Sequence, residues 1–127
     1  MLPLMGMESK HSIFKSFQFA LEGIIVELKK GRNFRIQICI GILAGTAGVI
    51  FKLSNIEWIL LLLITFSVLI LELINTSIEA IVDLVSPEIR EKAKIAKDVS
   101  AAAVLVGSIG SVLIGVFLFL PKILAFL

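Results

Sequence analysis

The sequence predicts an all-α integral membrane protein: an N-terminal amphipathic surface helix and three transmembrane helices, assembled as a homo-oligomeric bundle. Composition points there first. Of 127 residues, 58% are apolar and 17% charged, and the mean hydropathy is +1.07, whereas soluble chains carry about 25% charged residues. Three long apolar blocks follow one another, and ten of the twelve Lys and Arg residues fall in two clusters. The length suits one domain spanning 1–127. A single cysteine, Cys39, excludes a disulfide framework, and it reads as a small hydrophobe in an apolar run.

The first element is expected over 10–30. Ile13, Phe14, Phe17, Ala20, Leu21, Ile24, Ile25 and Leu28 recur at intervals of three and four, while Lys15, Gln18, Glu22, Lys29 and Lys30 lie mostly off that stripe. Such a helix suits a membrane interface, its lysines toward the headgroups. No cleavable signal peptide is expected, because Met1–Gly6 is too short and the first long apolar block begins well inside the chain.

The three spans are expected at 33–53, 56–85 and 97–120. A helix crosses the hydrocarbon core with about 20 mostly apolar residues, and no segment alternates at period two as a strand would. The second block is long enough to cross and then continue into water. Trp58 suits an outer interface, and Pro121 with Lys122 suits the end of the last helix. Lys10, Lys15, Lys29, Lys30, Arg32 and Arg35 cluster before the first span. Arg90, Lys92, Lys94 and Lys97 cluster in an 86–98 loop. By the positive-inside rule both clusters are cytoplasmic and the C-terminus is outside.

Four polar residues interrupt the second block. Glu72, Asn75, Glu79 and Asp83, spaced 3, 4 and 4, share one helix face running from mid-span toward the cytoplasmic end. An ionised acid at mid-bilayer costs about 2.5–3.5 kcal/mol to insert, so the stripe faces a partner helix or a wet cavity. It could be a polar seam that fixes register. It could instead bind a divalent cation through oxygen. Glu72, the deepest acid, is the candidate general base, since desolvation favours the protonated form of a carboxylate. Lys94, Lys97 and Asp98 open the third span near Glu79 and Asp83 and add a cation suited to phosphate. Gly41, Gly45 and Gly48, then Gly107, Gly110 and Gly115, read as close helix packing, within one chain or between chains. A thin three-helix bundle buries such a stripe poorly, which favours a homo-oligomer. No Walker A loop, GxGxxG, HExxH or Ser–His–Asp set occurs, and His11 reads as an interfacial side chain.

ELINTSIEAIVDLV, Glu72 to Val85, resembles the E-x-x-N-[ST]-[AS]-I-E-x-x-V-D signature of the prokaryotic diacylglycerol kinase family. AKDVSAAAVLV at 96–106 resembles the block after that family's cytoplasmic loop, and FKSFQFALEGI and RNFRIQI resemble its N-terminal helix and first-span entry. IEW at 56–58 and FLPK at 119–122 look most like Gram-positive members, which include undecaprenol kinases.

The resemblance implies an ATP-dependent lipid kinase of the bacterial cell membrane, a homotrimer whose sites are shared between chains. It would transfer the γ-phosphoryl group to a lipid hydroxyl, that of undecaprenol or diacylglycerol, with Mg2+; a nucleic acid is not an expected partner. By resemblance Glu72 is the base and Glu79 a Mg2+ ligand that also meets ATP. Asn75 and Asp83 support them, Lys97 and Asp98 bind nucleotide, and Glu88, Ile89 and Arg90 lie near the adenosine. Two positions depart from the family pattern. Gly31 stands where a Glu ligand is usual, two residues before Asn33, and Ser12 stands where an Arg is frequent. Glu27, one turn before Gly31, is the candidate second metal ligand.

The residue pattern leaves two other functions open. One is a non-catalytic membrane subunit whose acidic stripe sets oligomer register. The other is a proton or cation pathway lined by Glu72, Glu79 and Asp83. The Lys97–Asp98 pair and the nearly apolar outer half, WILLLLITFSVLIL, favour a kinase.

Overall fold

The computed structural model describes residues 12–88 and 90–127, and among these every regular element is helical. The chain forms two compact units, Met1–Arg32 and Asn33–Leu127. The described part of the first is α1, Ile13–Lys30. Ser12 caps it, its hydroxyl accepting from the Lys15 N–H, and Lys29 and Lys30 complement the dipole at its last turn. Positions 10 and 11 of the expected surface helix lie outside the described residues. Ile13 and Phe14 are both 87% exposed, which leaves the apolar stripe of α1 outward.

The second unit holds the spans α2 (Arg32–Ile50), all but its first residue, α3 (Asn55–Val85) and α4 (Glu91–Phe126). All three are long and apolar enough to cross a membrane. With the family assignment given below, they make this a multi-pass membrane protein. α2 ends in a Schellman motif: the Leu53 N–H donates to the Gly48 carbonyl and the Lys52 N–H to that of Val49. Lys52 takes φ 54° at the position where glycine is commonest. Ser54 and Glu57 then form a reciprocal capping box that starts α3.

α3 and α4 pack side by side. Gly107 lets them approach, since a Cβ there would lie 2.6 Å from Leu71 Cδ1. At the other end Gly48 accommodates the Trp58 ring, 2.8 Å from where its own Cβ would sit. Gly45, Gly110 and Gly115 have open space around them, so the Gly41–Gly45 pair is not used as a whole within one chain. The buried apolar cluster is small, Leu53, Leu61 and Leu118, with Trp58 and Phe119 packed on it. Most large apolar side chains of the spans face outward, as lipid-facing helices require.

Two expectations are corrected. The 86–98 loop shortens to 86–90, because α4 begins at Glu91; Lys92, Lys94 and Lys97 are therefore helical. The last helix does not end at Pro121 but runs through it to Phe126. A proline removes one N–H and crowds the preceding turn. Here the turn beyond it is held from outside: Lys122 Nζ lies 3.1 Å from Glu57 Oε2, and the Phe126 and Phe119 rings meet Phe51 edge-on at 6.1 and 6.3 Å.

Candidate active site

α3 presents the polar stripe toward α4 and α2. Glu72 and Asn75 are buried, at 5% and 8% exposure, Glu79 is half-buried and Asp83 exposed. The stripe thus grades from dry to wet along one helix. The Gln37 side chain of α2 donates Nε2–H to Glu72 Oε2 at 3.4 Å. Ser100 of α4 donates its hydroxyl to Asn75 Oδ1 at 2.6 Å, and Asn75 Nδ2 donates to Glu79 Oε1 at 3.3 Å. Lys97 Nζ pairs with Asp83 Oδ1 at 2.5 Å. Three helices therefore contribute to one line of polar groups.

Two hollows flank this line. A cavity of about 370 Å³ is lined by Glu72, Asn75, Gln37, Asn33 and Ser108 among apolar neighbours. A cleft of about 160 Å³ is lined by Asp83, Ser86, Glu88, Lys94, Lys97 and Asp98. The first mixes a buried carboxylate with apolar walls, which suits an amphiphile. The second is charged and exposed, which suits a polyanion at Lys94 and Lys97.

The expected site residues thus fall into an upper and a lower group. Glu72 and Asn75 line the cavity, with Glu79 bonded below them. Asp83, Glu88, Lys97 and Asp98 line the cleft, and Arg90 lies 3.7 Å from Glu88 at its rim. Asp98 also pairs with Lys94, both largely exposed, so that pair adds little stability. Ile89 lies outside the described residues. Glu27 belongs to the first unit, where it is buried at 4% exposure. Its carboxylate lies against Gly31, so that a Cβ at Gly31 would overlap Glu27 Oε1 and come within 2.8 Å of Glu27 Cδ.

A divalent cation by itself finds no ready cage, since no three His, Cys, Asp or Glu side chains converge among the described residues. Mg2+ keeps several waters and uses one or two carboxylates together with substrate phosphates. Glu79, half-buried and steadied by Asn75, fits that smaller role.

Gln37 and Ser100 are site residues that spacing alone does not select. Gln37 carries a visible signal as the only strongly polar side chain in the first apolar block, Ile36–Phe51. Ser100 carries none, because serine is common in membrane helices and its partner lies 25 residues away.

The profile of the prokaryotic diacylglycerol kinase family matches residues 18–119, most of the chain and every polar group described in the second unit's stripe. The chain belongs to that family. A Synechocystis protein named diacylglycerol kinase is 40% identical over 115 residues, 90% of this chain and 66% of that one. The chain therefore spans just under two thirds of that relative's length. A Bacillus subtilis undecaprenol kinase is 39% identical over 87% of this chain and 89% of its own length. A Helicobacter pylori diacylglycerol kinase is 32% identical over 76% of each. Family membership favours the catalytic reading of the stripe over a register seam or an ion pathway.

Proposed function

We propose that this protein is an ATP-dependent lipid kinase in which Glu72 is the general base, the lipid hydroxyl enters the cavity beside it, and ATP occupies the charged cleft below. The carrying observation is the buried Glu72 carboxylate lining a mostly apolar cavity, on the same helix face as the residues of an exposed cationic cleft. The lipid hydroxyl gives its proton to Glu72, its oxygen attacks the γ-phosphorus, and the bond to the β–γ bridging oxygen breaks to release ADP. In-line transfer of this kind relies on positioning and charge neutralisation more than on covalent chemistry. Mg2+, when bound, neutralises charge on the polyphosphate. Glu79 is its proposed ligand, and Glu27 a second. Asn75 and Asp83 orient Glu79 and Lys97, and Lys97 exchanges Asp83 for a phosphate oxygen. Asp98 meets the nucleotide beside it, with Glu88, Ile89 and Arg90 around the adenosine.

Undecaprenol is the favoured acceptor, on the likeness to the Bacillus protein, and diacylglycerol is the other. The open glycines Gly45, Gly110 and Gly115 and the thin buried core support a homo-oligomer, proposed to be a trimer. The N-terminus and the 86–90 connection are proposed to be cytoplasmic. The test is purified protein with ATP and magnesium, undecaprenol and diacylglycerol being offered in parallel. Glu72→Gln keeps the side-chain shape but accepts no proton. It is expected to lower turnover by at least about 10²-fold with ATP binding retained. Near-normal turnover in this variant would move the base elsewhere.

A further inference from the structure

Gln37 meets Glu72 with one end of its amide, and the other end is idle. Its Nε2–H donates to Glu72 Oε2 at 3.4 Å, while its carbonyl Oε1 is shielded from solvent with no donor among the described residues. An ionised carboxylate only accepts, so the NH2 end faces Glu72 and the carbonyl faces away. A buried acceptor left without a donor is unfavourable and uncommon in folded proteins. Of the described residues lining the cavity, Glu72 alone titrates; Asn33, Gln37, Asn75 and Ser108 are polar but neutral. A change in the charge of Glu72 is therefore met there by neutral dipoles, the Gln37 amide among them.

Phosphoryl transfer inverts the hydrogen bonding around that amide. Before transfer Glu72 is an acceptor and the lipid hydroxyl a donor. The hydroxyl O–H bond then breaks, its oxygen bonds to phosphorus, the bond to the β–γ bridging oxygen breaks to release ADP, and the proton passes to Glu72. The resulting carboxylic acid has an O–H to give, and the lipid oxygen can only accept. A half-turn about the soft terminal torsion of Gln exchanges the two ends of the amide and leaves the rest of the side chain in place. Resting on the reading of Glu72 as the base, we propose that Gln37 is a positioning residue that makes this turn. Its Nε2–H end holds the carboxylate before transfer, and its Oε1 end receives the hydrogen bond of the Glu72 acid after it. The proton leaves for water as the phosphorylated lipid departs, and the amide turns back. The bond to Oε1 is absent in the ground state and grows as the proton moves, and an interaction of that kind raises kcat rather than lowering KM.

The experiment uses the full chain in lipid nanodiscs with ATP, magnesium and undecaprenol. Gln37→Met, of similar length with neither donor nor acceptor end, is expected to lower kcat by about 10-fold, the worth of one hydrogen bond to a buried group, with KM for the lipid little changed. Gln37→Lys, which only donates, is expected to stay as slow. Gln37→His is expected to recover most of the loss, because neutral imidazole carries one donor and one acceptor end. In the Glu72→Gln background, where no proton is accepted, adding Gln37→Met is expected to lower turnover no further, whereas a purely structural role would make the two losses multiply. Three variants at one position keep the test decisive if one of them does not fold. A normal kcat in Gln37→Met overturns the inference, as do full recovery in Gln37→Lys, no recovery in Gln37→His, and a loss that multiplies with that of Glu72→Gln. Near-normal turnover in Glu72→Gln alone removes the base assignment, and the inference with it; normal turnover in Gln37→Met beside a slow Glu72→Gln removes the inference only.

Discussion

Ser100 donates a hydrogen bond from its hydroxyl to Asn75 Oδ1 in a buried setting, and Asn75 in turn donates to Glu79. Ser100→Ala leaves Asn75 Oδ1 without that donor, at a penalty of about 1–3 kcal/mol. The expected result is a lower thermal midpoint in detergent micelles and a weaker response to magnesium; Ser100→Thr, which keeps the hydroxyl, is expected to restore both. Gly31 acts through a different physical route. It matters here for the room it leaves, because the Glu27 carboxylate occupies the space a side chain would need. Gly31→Ala touches no acid yet must displace one. If Glu27 is a metal ligand, Glu27→Gln and Gly31→Ala are both expected to raise the magnesium concentration for half-maximal turnover, by about 10-fold, the lower end for losing a group that orients a ligand. Gly31→Glu exchanges one carboxylate for another and is expected to reverse most of that loss. A magnesium titration unchanged in Glu27→Gln and Gly31→Ala would remove Glu27 from the metal site.

Helix boundaries were legible wherever a cap or a period marks them. The stripe of α1 and the 3-4-4 acidic face of α3 are local patterns, and each is realised where its residues stand, whereas the Ser54–Glu57 capping box starts α3 one residue ahead of the expected 56. The C-terminal end of α4 was not legible, because what holds it lies elsewhere in the chain. Phe51 and Glu57 hold the turn beyond Pro121, and no periodicity within 97–120 announces those partners. The same reason hides Ser100 and the idle end of Gln37, whose roles exist only across helix pairs. One local feature opposes its own propensity. Lys52 sits at φ 54°, a left-handed conformation that costs a side-chain-bearing residue about 1–2 kcal/mol. Lys52→Gly relieves this but adds unfolded-chain entropy. A net gain of about 0.5–1 kcal/mol is expected, seen as a raised unfolding midpoint. A lowered midpoint would mean that the lysine side chain contributes more than its backbone strain removes.

At the scale of the molecule, the proposed function brings two unlike substrates to one helix from opposite sides, the lipid from the bilayer and the nucleotide from water. That requires the 86–90 connection to be cytoplasmic. Single cysteines at Ser86 and Ser54, in a chain with Cys39 replaced by Ser, are expected to react with a membrane-impermeant reagent from the cytoplasmic and the outer side respectively. Labelling of position 54 from the cytoplasm would invert the topology. α3 and α4 are also joined near both ends, by Glu57 with Lys122 and by Asp83 with Lys97. Two such rivets oppose sliding of one helix along the other, the Glu57–Lys122 one above all, since it is the less exposed and Lys97 is proposed to leave Asp83 for a phosphate. α3 has 31 residues, a length of about 46 Å, against a hydrocarbon core of about 30 Å. A pair that resists shear meets a thinner or thicker bilayer by leaning as one body. Leaning changes how far beneath the headgroups Glu72 rides, so acyl-chain length in the host membrane becomes a control on the rate, and releasing one rivet with Lys122→Met is expected to blunt it.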